Sequence, residues 1–138
     1  MAANTIEIFQ EDLGFLLNLV NPNLPLFLYG HSMGGLTVAS FLANNPNINV
    51  SGAVLSAPLM NMPKEAGIDV IKRVVIGAMV PLMDNILINP MVPIHQVCSD
   101  KRVYYDFLSC RKFMPFISLG LTQSIIRFMD DMPINLDK

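Results

Sequence analysis

Near the start of the chain, apolar positions recur with the period of a helix. Between residues 5 and 20 the apolar positions recur three or four apart, and polar side chains fall between them. This spacing predicts an amphipathic helix that packs one face on a core, with Asn4 as its N-cap. The sequence Asn-Pro-Asn-Leu-Pro at residues 21–25 predicts the end of this helix and a turn.

Two apolar runs follow, and a helical segment separates them. Residues 26–29 (Leu-Phe-Leu-Tyr) and residues 50–57 (Val-Ser-Gly-Ala-Val-Leu-Ser-Ala) predict buried strands. Residues 33–44 predict a helix, which the Asn-Pro-Asn sequence at residues 45–47 ends. Helix, strand, helix and strand in this order predict a right-handed βαβ unit of a parallel sheet, which places the chain in the α/β class.

The character of the chain changes near residue 60, after which the strand patterns fade. Residues 64–83 predict a helix that becomes apolar on all sides after Arg73, and residues 109–129 predict another, broken at Met114-Pro115. Eight of the ten methionines lie after residue 59. A methionine-rich apolar surface suits flexible acyl chains or varied partners. Ordinary core filling explains the same pattern equally well.

Composition excludes several classes of protein. Hydrophobic residues make up 52% of the chain and charged residues 14%, with a net charge of -2, which excludes a disordered or nucleic-acid-binding chain. The longest uncharged apolar run, residues 74–83, is too short to span a bilayer, and the N-terminus lacks a signal-peptide pattern. The low charge fraction indicates apolar surface that either contacts lipid or is covered by something outside these residues.

The two cysteines do not indicate a disulfide framework. Cys98 and Cys110 show no metal-ligand spacing, and we predict buried free thiols in a reducing compartment. Neither a metal nor any other cofactor is predicted.

The residues with recognisable chemistry lie between the first strand and the second helix. The motif Gly-His-Ser-Met-Gly-Gly occupies residues 30–35. A hydrophobic strand before Gly-x-Ser-x-Gly and a helix after it are the context of a nucleophile elbow, the sharp turn that presents the serine of a hydrolase. A glycine-rich linker would have polar neighbours instead. We therefore expect a positive φ at Ser32. We also expect that residues 30 and 34, here Gly30 and Gly34, must be glycine, because a Cβ at either position would collide with the neighbouring strand or helix.

Together with Val-Leu-Ser-Ala-Pro-Leu at residues 54–59, this motif resembles the α/β-hydrolase superfamily. Within it, the chain is most similar to the monoacylglycerol lipase and serine aminopeptidase-like (lysophospholipase) group. The resemblance covers residues 5 to about 60 well. Beyond them, the chain shares with the family only a pattern of hydrophobic helices with short breaks. The resemblance implies a partial α/β-hydrolase fold, with the core and the nucleophile elbow in residues 1–59 and a helical cap or lid in residues 60–138.

The resemblance also implies roles for individual residues. Ser32 would be the nucleophile that attacks an ester carbonyl, and the backbone N–H of Met33 would be one donor of the oxyanion hole. Gly34 and Gly35 would let the start of the helix pack closely on the sheet. His31 is expected to pack or hydrogen-bond beside the elbow rather than act as the base, because its side chain leaves the turn in a different direction from that of Ser32.

The aspartate and histidine that would activate this serine do not follow in the expected pattern. In the family the order is serine, then aspartate at the end of a strand after the cap, then histidine. No strand followed by an acidic loop is recognisable between residues 90 and 138, so we interpret the chain as an internal piece of a larger hydrolase. An alternative keeps the triad inside the chain, because a strand over residues 73–80 would place Asp84 at its end, with His95 following.

Three functional hypotheses follow from these residues. The first is a serine hydrolase that cleaves carboxylic esters of lipids, such as monoacylglycerols or lysophospholipids, through an acyl-enzyme on Ser32. The second is a catalytically incomplete fragment or pseudoenzyme that binds lipid, and the third is an interaction module of hydrolase fold. The expected partner is a small lipid ester rather than nucleic acid. The expected location is the cytoplasm, with peripheral membrane contact through the cap if its surface faces lipid, and the oligomeric state is left open.

Overall fold

The computed structural model describes residues 5–61, 70–89, 98–110 and 116–131. Helix, strand, helix and strand follow one another through residue 56, as the sequence predicts. Thr5, rather than the predicted Asn4, occupies the N-cap position of the first helix. The elements in chain order are α1 (Ile6–Leu17), β1 (Phe27–His31), α2 (Met33–Asn44), β2 (Gly52–Ser56), α3 (Val70–Met83), β3 (Leu87–Ile88), α4 (Lys101–Ser109), β4 (Ile117–Ser118) and α5 (Leu119–Asp131).

Strands β1 and β2 pair in parallel, as predicted. Phe27 lies opposite Gly52 and His31 lies opposite Ser56, so the carboxyl ends of both strands meet at one edge of the sheet. Helix α2 connects the two strands and packs against both of them. Ligands of open α/β sheets bind at this edge, because the loops that follow the strands converge there.

The apolar core lies between α1, α2 and α5. Ile6, Leu36, Leu121 and Ile125 form one buried cluster, in which Ile6 and Leu36 are completely inaccessible to solvent. Helix α5 belongs to the region predicted as the cap, yet it packs directly on the helices of the βαβ half. The division of the chain between residues 59 and 60 remains a prediction.

A side chain of α5 also hydrogen-bonds the start of α1. The Ser124 hydroxyl accepts the Ile6 N–H at 2.9 Å and donates to the Glu7 carboxylate at 2.9 Å. Partial burial raises the pKa of Glu7, but hydrogen bonds from its own backbone, Ser124 and Thr5 and the charge of Arg127 outweigh that effect. The pKa of Glu7 therefore lies below its ordinary value.

Replacing Ser124 by alanine is expected to lower the free energy of unfolding by about 1–2 kcal/mol, because the Ile6 N–H loses its acceptor. A carboxylate with a lowered pKa stabilises the fold above its unfolded-state pKa, and that contribution is lost as the pH falls through the folded-state value. The variant should therefore lose less stability than the wild type on acidification below 4.5, the ordinary pKa of the group. Urea denaturation at neutral and acidic pH measures both effects.

Ser109→Ala is the control for this prediction, since the Ser109 hydroxyl donates to the Asp106 carbonyl of its own helix. Equal losses of stability from the two substitutions would contradict a special role for Ser124.

The second half of the chain differs in several details from its sequence pattern. The described part of the helix predicted over residues 64–83 is α3, which contains Pro81. Residues 64–69, like the predicted break at Met114-Pro115, lie outside the described residues. The helix predicted from residue 109 begins only at Leu119, as α5. Helix α4 and the antiparallel pair of two-residue strands β3 and β4 have no counterpart in the prediction.

Three further observations concern the thiols, membranes and metals. Cys98 and Cys110 are free; Cys98 is half-buried and Cys110 is exposed, so the prediction of buried thiols is wrong. Among the described helices, none has the length and apolar character needed to cross a membrane. The described residues contain no cluster of His, Cys, Asp and Glu that could hold a metal ion.

Several large apolar side chains of the sheet are exposed. Phe27 is 66% exposed and Tyr29 is 68% exposed, and Val54, which lies opposite Tyr29, is 57% exposed. Within the described ranges this sheet consists of β1 and β2 alone, so its outer edges pair with no further described strand. The sheet therefore presents apolar surface and open edges to its surroundings.

Candidate active site

The candidate site lies at the sharp turn between β1 and α2. Strand β1 ends at His31 and α2 begins at Met33, so Ser32 alone connects them. Ser32 has φ 53° and ψ -120°, and its side chain is exposed. A positive φ costs a residue with a Cβ on the order of 1–2 kcal/mol, and it persists only where the surroundings fix it.

Hydrogen bonds hold both backbone groups of Ser32. Its N–H donates to the Ser56 carbonyl at 3.1 Å, and its carbonyl accepts the Leu59 N–H at 3.0 Å. The same carbonyl accepts the N–H groups of Gly35 and Leu36, at 3.0 and 3.2 Å, which starts α2. The strained residue is therefore fixed by the strand beside it, by the loop after that strand and by its own helix.

Two of the three motif glycines are required by close contacts. A Cβ on Gly30 would lie 2.4 Å from the Gly34 carbonyl oxygen, and a Cβ on Gly35 would lie 2.8 Å from the Pro58 Cβ. A Cβ on Gly34 would meet no atom within 4 Å beyond its chain neighbours and the backbone of its own helix. The predicted collision of a Cβ therefore occurs at Gly30, but the prediction is wrong for Gly34, and the close packing of the helix start on the sheet depends on Gly35.

The Ser32 hydroxyl is exposed at the start of α2 without capping the helix. A serine at the N-cap usually accepts a hydrogen bond from an N–H two or three residues later, but Ser32 makes no such bond. The first turn of α2 contains no acidic side chain, and Met33 occupies its first position, where no preceding turn supplies a carbonyl acceptor. Negative charge that develops beside this hydroxyl would face N–H groups and the positive end of the helix dipole.

Comparison with known families agrees with this geometry. The family model described as serine aminopeptidase, S33, matches residues 1–138, the whole length of the chain. The chain belongs to the serine aminopeptidase S33 family. Members of this family are α/β-hydrolases.

A solved structure shows the same fold. The crystal structure of the Paleococcus ferrophilus monoacylglycerol lipase matches with a TM-score of 0.80 at 17% sequence identity. The match covers 91% of this S33-family chain and 47% of the lipase chain, so the chain spans about half the length of that lipase. At this identity the likeness establishes the fold, a partial α/β-hydrolase fold with a parallel sheet. A comparison with curated proteins finds no match.

The candidates for base and acid in this S33-family chain do not join Ser32 in a triad among the described residues. The Nδ1 atom of His31 lies 3.2 Å from the Ser56 hydroxyl, so its ring faces β2. Residues 73–80 are part of helix α3 rather than a strand, which removes the premise of the alternative triad. Asp84 lines a cavity of about 330 Å³ between α1, α3 and α5, and His95 lies outside the described residues.

Two residues that contact the elbow, Ser56 and Leu59, have no predicted role. Their signal was present, because both belong to the Val-Leu-Ser-Ala-Pro-Leu sequence that supports the family resemblance. Leu59, Met60 and Met33 are half-buried and pack against the core cluster. The start of α2 and the loop after β2, which both adjoin Ser32, therefore both contribute apolar side chains to the core.

Ala57, directly after β2, has φ 41° and is the other non-glycine residue with a positive φ among the described residues. Ala57→Gly is expected to raise the free energy of unfolding by up to about 1 kcal/mol, because glycine adopts this backbone conformation without strain. Urea denaturation measures the change. Ala53→Gly, within β2, is the matched control and should lower the free energy of unfolding by about 0.5–1 kcal/mol. A loss of stability at residue 57 would contradict the strain argument.

Proposed function

We propose that this chain supplies the nucleophile of a serine hydrolase that cleaves carboxylic esters of lipids, with Ser32 as the nucleophile. The observation that supports this most directly is the exposed hydroxyl of Ser32, held at φ 53° on the first turn of α2 and not used to cap that helix. A serine that is strained, exposed and makes no capping hydrogen bond does not stabilise the fold from this position. Acyl transfer is the chemistry for which such an elbow is suited.

In the proposed reaction the Ser32 Oγ attacks the ester carbonyl carbon, and its proton passes to a general base. The carbonyl oxygen becomes an oxyanion, to which the backbone N–H of Met33 donates. Collapse of the tetrahedral intermediate breaks the bond to the alcohol, which leaves with the proton from the base, and an acyl-enzyme remains on Ser32. Water then attacks the acyl carbon, and its proton returns by the same base to restore the serine and release the carboxylic acid.

The base and the carboxylate that orients it are proposed to come from outside the described residues. His31 is the single histidine in the described ranges, and its Nδ1 faces Ser56. The matched lipase is about twice as long as the part that this chain covers. The activity of the whole enzyme is therefore proposed for a protein that contains these residues together with the aspartate and histidine of the triad.

A lipid ester is the proposed substrate for two reasons. A solved structure that shares the fold is described as a monoacylglycerol lipase. Met33 follows Ser32 directly and Leu59 binds the Ser32 carbonyl through its backbone, and both residues have apolar, half-buried side chains, which favours an acyl chain over a charged group. We further propose a cytoplasmic location with peripheral membrane contact through residues 60–138, where α3 exposes Val74 and Leu82.

A fluorophosphonate probe tests this proposal in the full-length protein. Peptide mapping by mass spectrometry should find the covalent adduct on the peptide that contains Ser32, and monoacylglycerol added beforehand should slow its formation. Hydrolysis of monoacylglycerol without an adduct at Ser32 would overturn the assignment. A protein that forms no adduct and hydrolyses no ester, but gains thermal stability from monoacylglycerol, would instead be the incomplete, lipid-binding hydrolase of the second hypothesis.

A further inference from the structure

We propose that Ser56 is a positioning residue for Ser32, and that residues 56–59 act as a clamp on the elbow. The inference rests on the proposed function, because positioning matters only if the Ser32 hydroxyl reacts. It adds residues of β2 and of the loop after it to a site whose nucleophile and oxyanion donor come from a different segment of the chain.

Ser56 contacts two consecutive residues, His31 at the end of β1 and Ser32 in the turn. Its backbone carbonyl accepts the Ser32 N–H at 3.1 Å, and its hydroxyl lies 3.2 Å from the Nδ1 atom of His31. His31 and Ser56 are also directly opposite each other in the parallel pair. A hydroxyl both donates and accepts, so this hydrogen bond forms with either tautomer of the His31 ring.

The next residues hold the other side of Ser32. Ala57 adopts φ 41°, which turns the chain back toward the elbow. Pro58 then lies so close to Gly35 that a Cβ on that glycine would come within 2.8 Å of it. The Leu59 N–H donates to the Ser32 carbonyl at 3.0 Å. The clamp thus binds both the N–H and the carbonyl of one strained residue.

The strained backbone of Ser32 explains why these contacts affect the position of its hydroxyl. A residue at positive φ returns to an ordinary backbone conformation when the contacts that fix it are loosened. Rotation of the Ser32 backbone would move its Oγ relative to the Met33 N–H, and a displacement of about 1 Å in an active site can cost about 100-fold in rate. Loss of the Ser56 hydroxyl removes the hydrogen bond to the ring of His31, the residue that leads into the turn, and should therefore reduce the rate of acylation more than substrate binding.

Ser56→Ala tests this in the full-length protein, with Ser56→Thr as the rescue and Ser51→Ala as the control. Ser51 lies directly before β2 and is exposed, and its N–H donates to the Leu26 carbonyl at 2.7 Å. We expect Ser56→Ala to lower kcat for a short-chain ester by about 10- to 100-fold with KM changed less than about twofold. Threonine, which keeps the hydroxyl, should recover most of kcat, and Ser51→Ala should leave kcat unchanged.

Hydrogen exchange gives a readout that does not need activity. In Ser56→Ala the peptide containing residues 30–36 should exchange about tenfold faster than in Ser51→Ala, since the elbow opens locally more often. Equal exchange and equal kcat in these two variants would overturn the inference. If the wild type neither hydrolyses esters nor reacts with a fluorophosphonate, the proposed function fails, while the exchange rates still decide whether Ser56 holds the elbow.

Discussion

Substitution of Ser32 by alanine is expected to lower kcat/KM for ester hydrolysis at least roughly 10,000-fold, because no acyl-enzyme can form without the hydroxyl. The free energy of unfolding should change by less than about 0.5 kcal/mol. A serine at a helix N-cap normally contributes about 1 kcal/mol through its capping hydrogen bond, but Ser32 makes no such bond. Ester hydrolysis and urea denaturation of the same preparation measure the two effects.

Ser32→Gly separates the hydroxyl from the backbone strain. Glycine removes the hydroxyl and also tolerates the φ of 53°, so activity should fall as in the alanine variant while the free energy of unfolding rises by up to about 1 kcal/mol. A gain in stability with a loss of function is typical of residues held in a strained conformation for catalysis. A loss of about 1 kcal/mol in Ser32→Ala would instead show that the hydroxyl caps the helix in solution. Hydrolysis retained in either variant would point to a different nucleophile.

The elbow was predictable because its determinants are local. The apolar run at residues 26–29, the glycine on each side of Ser32 and the helical spacing after it are all within about twenty residues of sequence. A strand that passes directly into a helix leaves one residue for the turn, and a positive φ there follows from that geometry. The parallel pairing of β1 and β2 follows equally, because a helix connects them.

The clamp was not predictable, because it acts across space. The contacts of Ser56 and Leu59 with Ser32 join residues more than twenty positions apart, and their existence depends on the register of β1 and β2. A strand pattern limits the register only by which face is buried. The open space around Gly34 was not predictable for the same reason. The Gly-x-Ser-x-Gly pattern predicts that both glycines are required, but only the structure shows which of them has close neighbours.

The second half was less predictable for a different reason. Strands β3 and β4 have two residues each, too few to show any periodicity, and they are strands because they pair with each other. Helix α4 has nine residues, which is below the length at which a helical pattern stands apart from other apolar spacings. Elements of this length depend on tertiary contacts more than on their own sequence.

The low fraction of charged residues agrees with the apolar side chains that the structure exposes. Phe27, Tyr29 and Val54 expose more than half of their area on a sheet with open edges, which is unusual for a soluble α/β protein, whose parallel sheets are covered on both faces. The matched lipase contains about as much chain again as the part aligned here. Further chain that covered these side chains would bury this apolar surface, which supports the proposal that further chain completes the enzyme.

Gly30→Ala is expected to lower the free energy of unfolding by about 3 kcal/mol or more, since the new Cβ would lie 2.4 Å from the Gly34 carbonyl oxygen. The contact is with backbone in the first turn of α2, so no side-chain rotation relieves it. Either β1 and α2 separate, which disrupts the packing of Leu36 in the core, or the turn at Ser32 changes. Urea denaturation followed by circular dichroism measures the loss, and the fluorophosphonate adduct at Ser32 should also diminish.

Gly34→Ala is the matched control, because it introduces the same methyl group four residues away in the same motif. Apart from its chain neighbours and the backbone of its own helix, no atom lies within 4 Å of its Cβ position, and an alanine within a helix is favoured over glycine by about 0.5–1 kcal/mol. Stability should therefore stay constant or rise. If both substitutions destabilised the protein equally, the two glycines would be required for the same reason, and the distinction that the structure makes between them would be wrong. If neither did, β1 and α2 would have to be less closely packed than their backbone contacts indicate.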